Sequence, residues 1–188
     1  MKKHLLTGLF ALAASPALAH LPPAQQGSFM AGASHPLFGL DHIIAMVAVG
    51  IWALQIGGKA VWAIPAGFVG AMALGYFGGI TGLSLPFVEP MILASAILIG
   101  LLATFAVKPA LAGGVAIVAL FGLFHGHAHG AELGAANALG FGLGFVIATA
   151  ALHAAGIMAA QLTGRALPYG PRLLGAVATL LGLSLLIG

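Results

Sequence analysis

Six long apolar segments, separated by short runs of turn-forming residues, leave this chain few ways to fold. They fall at about 35–55, 60–80, 86–107, 110–131, 135–160 and 171–188. Each is long enough, at about 1.5 Å per helical residue, to cross a hydrocarbon core of ~30 Å. The breaks carry turn chemistry: Gly57-Gly58-Lys59, Gly82-Leu83-Ser84-Leu85-Pro86, Lys108-Pro109, Gly134, and the stretch from Gly164 to Pro171. Charged residues make up only 5% of the 188, against about 25% in a soluble domain. Such a chain cannot cover a water-facing surface. The expectation is an all-α, polytopic membrane helix bundle with six transmembrane helices. No linker is long enough for a second domain, and no internal repeat stands out.

Residues 1–19 read as a cleaved signal peptide. Lys2 and Lys3 form the positive start, Leu5 to Ala14 the apolar core, and Ala17-Leu18-Ala19 the small-x-small cleavage pattern. The apolar run is about 15 residues, short of the ~20 of a spanning helix; the competing reading is an uncleaved first helix. Cleavage after Ala19 makes His20 the mature N-terminus, on the outer side. Residues 20–34 then form an outer arm containing Pro, Gln, Gly and Ser, and 35–188 the six-helix domain. With that orientation the inner breaks are 56–60, 107–110 and 161–171. Lys59, Lys108, Arg165 and Arg172 all fall in or beside them. The positive-inside rule therefore agrees with the signal peptide and puts both mature ends outside. The expected location is a bacterial inner membrane.

The orientation sorts the rare polar residues. Asp41 lies just inside the outer end of the first segment and Glu89 near the outer start of the third. His125, His129 and Glu132 lie at the outer end of the fourth. His153 is the exception, about 18 residues into the fifth and toward the inner side. Ionisable groups stepping inward are what a cation path needs. The chain has no cysteine, which excludes disulfides, thiolate ligands and Cys nucleophiles. Metal ligands must come from His, carboxylate, Met, amide, hydroxyl or backbone. No basic patch with interleaved aromatics is present, so nucleic acid is not an expected partner.

Two stretches concentrate the chemistry. In the first, His35 and His42 are seven residues apart and share a helix face. A regular helix would separate them by ~10 Å along its axis, too far for one metal unless the helix start is unwound, as Pro36 and Gly39 allow. Asp41 precedes His42, and Asp with His suits a borderline divalent metal. In the second, His125 and His129 form an i,i+4 pair, and Glu132 continues their face. Gly122, Gly126, Gly130 and Gly134 make a bare stripe beside that face, where the first segment is expected to approach closely. Gly140 and Gly144 repeat the spacing with no chemistry nearby.

Each feature has a bland counterpart. His35 would be a helix-start cap, and Asp41–His42 a pair that fixes packing. His127 points away from the His125/His129 face and reads as a satisfied or loop-facing residue. Met46, one turn beyond His42, offers a thioether but reads first as core filler. Glu89, between Pro86 and Pro90, either serves cation access or simply reaches water. The amine and imidazole of His20 would chelate one ion together. However, Pro22 and the absence of a third-position histidine rule out the three-residue amino-terminal copper and nickel motif.

At these residues the chain resembles a known family. His35, five residues, then Asp41-His42 matches the HX5DH motif of the HupE/UreJ proteins. Phe124-His125-Gly126 with His129-Gly130 and Glu132 matches their FHG-x-x-HG-x-E motif. The resemblance covers the mature chain. It implies a permease importing Ni²⁺, with Co²⁺ as the other candidate, for hydrogenase and urease maturation, with His35, Asp41, His42, His125, His129 and Glu132 as metal residues. His127 and His153 fall outside the motifs. The ion is cargo, and no resident cofactor is expected. The bilayer is the expected partner, self-association is left open, and nickel-enzyme maturation proteins enter by family analogy alone. The residues by themselves admit Zn²⁺ and Cu²⁺ too. They also admit a membrane metalloenzyme, although no H-E-x-x-H is present, or an electron carrier with haem held by His42, His125, His129 or His153.

Overall fold

A computed structural model describes residues 28–133 and 136–187. The expected signal peptide, His20 and Gly134 lie outside the described residues. Within them the chain is helical, with no strand: α1 Ser28–Ser34, a 3-10 turn His35–Leu37, α2 Leu40–Ile56, α3 Ala60–Ile80, α4 Val88–Thr104, α5 Leu111–Ala131, α6 Ala138–Ala166 and α7 Gly170–Ile187. Four of these, α3, α5, α6 and α7, are long and apolar enough to cross a membrane. The pair formed by Ser28–Leu37 and α2 passes as one span bent by 79°. Helix α4 is a shorter apolar helix. Phe87 at φ 61° and Ala106 at φ 49° turn the chain at its two ends. Its 17 residues rise only about 26 Å.

Helix α2 is the axis of the bundle and packs on α3, α4, α6 and α7. Ala45, Met46, Ala48, Val49, Trp52 and Ala53 are fully buried on it, as expected of a helix apolar all round. Its far end is tied to α4. The Trp52 Nε1–H donates to the Val107 carbonyl at 2.7 Å, and the Gln55 amide to the Ala103 carbonyl at 2.9 Å. Ala103 is in the last turn of α4 and Val107 lies just beyond it, where carbonyls fall outside the regular helical ladder and can accept from side chains. Leu74, Phe77, Leu120, Leu143, Ile147 and Leu180 stand exposed around the bundle. An outside of that composition suits lipid, and the apolar helices make this a multi-pass membrane protein.

Three expectations change. The glycine stripe of α5 faces α3, not α2. A Cβ on Gly126 would overlap the Met72 carbonyl, and one on Gly75 the Leu123 carbonyl. Among the described residues the stripe thus serves the most extensively packed helix pair, and α2 does not pack closely on α5. The last part of the expected arm is also structured. α1 docks on α6, with Gly32 against the Phe141 carbonyl, Gly144 against that of Phe29, and the Asn137 N–H donating to Ser28 Oγ at 2.6 Å. The Gly140/Gly144 spacing, which had no evident purpose, provides that seat. Helix α6 runs from 138 to 166 instead of 135 to 160, capped by the Asn137 side chain accepting from the Gly140 N–H at 2.9 Å.

Candidate metal centre

The break before α2 places the first two histidines. Pro36 sits in the 3-10 turn, Gly39 is extended at φ −90° and ψ 112°, and α2 restarts with the Ile43 N–H on the Gly39 carbonyl. A Cβ on Gly39 would come within 2.8 Å of both Asp41 Oδ1 and His42 Nδ1. The glycine is needed for space, not for its dihedral angles. With the helix broken there, His35 and His42 both reach His129, with ring centroids 4.6 and 4.7 Å away. His42 also meets His125 at 5.0 Å. The four imidazoles form a row, His35–His129–His42–His125, between α5 and the broken helix.

Three of the four rings, His42, His125 and His35, have a polar partner. Asp41 Oδ1 accepts from both the backbone N–H and Nδ1–H of His42 at 2.9 Å. A carboxylate on one ring nitrogen leaves the lone pair on the other, the usual outer-shell arrangement of a metal-binding histidine. His125 donates Nδ1–H to the Phe121 carbonyl at 2.9 Å. At the open end, Glu132 Oε2 lies 3.9 Å from His35 Nε2. His35, His129 and Glu132 each offer a ligand atom, all within 4.8 Å of one another. Bond lengths of about 2.0–2.2 Å put ligand atoms about 3–4 Å apart around one ion, so modest side-chain rotation would close this set.

The interior of the row is unsatisfied. His42 Nε2, His125 Nε2, and both ring nitrogens of His129 are buried without a hydrogen-bond partner. Each such atom costs roughly 1–3 kcal/mol. His125 and His129 are 0% and 2% exposed, so both rings are shut off from bulk solvent. Phe145 packs on His129 at 4.2 Å and Phe141 on His35 at 5.7 Å, holding the rings in place.

The remaining singled-out residues separate. His127 turns to the α3–α4 loop and donates Nε2–H to the Leu83 carbonyl at 2.6 Å. Met46 is fully buried, and its carbonyl accepts from His153 Nδ1–H at 2.7 Å. Glu89 is exposed and shares a cavity of about 580 Å³ with Asp41, Leu185 and Leu186. The aromatic frame of Phe68, Phe141 and Phe145 escaped the sequence reading. A phenylalanine in an apolar segment carries no mark of the ring it will touch.

The family model described as HupE / UreJ protein matches residues 8–185. Protein HupE of Rhizobium leguminosarum bv. viciae is 44% identical over 191 residues, covering 100% of both chains. No solved structure matches.

Proposed function

The chain belongs to the HupE/UreJ family, and on that footing we propose that it is a transmembrane permease importing a divalent transition-metal cation, Ni²⁺ first and Co²⁺ second. The observation that carries this reading is the row of buried imidazole nitrogens without partners. Bare nitrogen lone pairs lined up in an apolar bundle match a borderline cation and serve no packing purpose. The nickel preference rests on the family resemblance. In this reading the ion meets Glu132, His35 and His129 at the open mouth, exchanging water for imidazole. It then passes to His42 and His125, with Asp41 orienting His42. Glu89, beside Asp41 in a shared cavity, would draw cations to that side.

The wider frame belongs to the same proposal. The signal peptide is removed after Ala19, six helices span an inner membrane, α4 and the bent α1–α2 pair among them, and both ends face outward. The 20–34 arm, with His20, leads into the transport domain at 35–188. Lys59, Lys108, Arg165 and Arg172 at the opposite end of the bundle from the histidines support that orientation. The protein acts as a transporter and not an enzyme, without nucleic acid or a resident cofactor. A haem carrier is disfavoured at the row, where the rings pack on one another with centroids 4.6–5.0 Å apart.

Uptake of radiolabelled Ni²⁺ by vesicles with and without the protein tests the reading. Uptake should depend on the protein and weaken as the medium is acidified, because only deprotonated imidazoles bind the ion. Equal uptake with and without the protein would sink it.

A further inference from the structure

The row of histidines does not end at His125. The ring of Phe68 on α3 lies 5.3 Å from His125 and 5.1 Å from His153. His153 is 1% exposed, in the body of α6. A carbonyl can only accept, so its Nδ1 must donate to the Met46 carbonyl, and its Nε2 keeps the lone pair. That Nε2 is buried without a partner. His125 is built the same way, pinned by Nδ1–H to a backbone carbonyl and bare at Nε2. Two histidines on different helices, in the same tautomer, thus flank one aromatic ring.

Packing alone does not account for His153, since a leucine would fill similar space without a stranded acceptor. Its surroundings also carry weak donors. Thr149, one turn earlier on α6, donates its hydroxyl to Met72 Sδ at 3.5 Å, and Met72 lies one turn beyond Phe68 on α3. All three are fully or almost fully buried. The level matters too. His153 bonds Met46, one turn beyond His42 on α2, and its own carbonyl abuts Gly50. An ion leaving His125 would otherwise face apolar protein with no ligand, which is costly for a charge.

We propose that His153 is an inner holding position for the transported divalent cation, which leaves His125, passes the Phe68 ring and is taken up by His153 Nε2. This rests on the permease reading.

Full-length wild type, His153→Leu and His153→Gln are compared in vesicles for Ni²⁺ uptake, and in detergent for Ni²⁺ affinity and melting temperature. Both variants should keep Ni²⁺ affinity within about threefold while uptake falls about tenfold or more, the split expected when a step after binding is lost. His153→Gln keeps a donor for the Met46 carbonyl, so it separates pinning of α2 to α6 from holding the ion. Normal uptake by either variant overturns the proposal, as does a loss of affinity as large as the loss of uptake. Wild-type vesicles that take up no divalent ion overturn the permease reading itself, and this proposal with it.

Discussion

At the residue scale, the Asp41–His42 pair and the ring of His129 should act as a unit. His42 and His129 are 4.7 Å apart, and their free nitrogens have no other partner. His42→Ala and His129→Ala should each abolish most uptake, and the double variant should be barely worse, the non-additivity of residues in contact. Multiplying losses in a double-mutant cycle would show two separate sites. His127→Ala should be mild by comparison, because that ring serves the Leu83 carbonyl. Gly39 makes a sharper test. A methyl there would press on Asp41 Oδ1 and His42 Nδ1, the atoms nearest to it. Gly39→Ala should cut uptake about tenfold or more, as displacing an orienting partner does, with little change in melting temperature. Unchanged uptake would mean that the Asp41–His42 bond does not matter.

At the element scale, glycines decide which helices meet backbone to backbone. The α5 stripe seats on α3, and the α6 stripe seats α1. Helices α2 and α5 remain separated, and the imidazoles bridge the space. A stripe seated on α2 would have closed that space and left no room for an ion. Gly126→Ala should therefore destabilise by about 1–3 kcal/mol, the cost of overpacking, read as a lower melting temperature in detergent. Gly70→Ala on α3, whose Cβ would meet nothing within 4 Å, is the control and should be tolerated. Equal effects of the two would mean that the α3–α5 approach is not tight.

At the scale of the whole molecule, the histidine end and the basic end lie at opposite poles of the bundle. A reporter fused after Gly188 should be active only if it works on the outer side, since the six spans proposed above would return the chain to the side from which it started. Activity of a cytoplasmic reporter there would remove one span from the count, and α4 or the bent α1–α2 pair would be the first suspect. The break in that pair is where the bent span and the candidate metal centre meet. Irregular backbone at membrane depth is tolerated where protein buries it or a polar cavity lies beside it. The break at Phe38–Gly39 stands against the histidine row.

Much of this was legible in the residues alone, because composition and spacing are local. Charge scarcity dictated an apolar helical bundle. His35, Asp41, His42, His125, His129 and Glu132 stood out because polar groups in apolar segments are expensive and rare. Pro36 and Gly39 even marked where the first helix would break. What the residues could not decide was partnership between helices. A glycine stripe shows only that some backbone comes close, and whether α2 or α3 fills it depends on how all the helices share one core. The same holds for Phe68, Phe141 and Phe145, and for the orientation of His127. A ring's neighbours are set by the tertiary arrangement of helices far apart in sequence, and no local pattern encodes them. The depth of His153 was visible in the numbering. Its bare nitrogen beside Phe68 exists only because α2, α3 and α6 converge there.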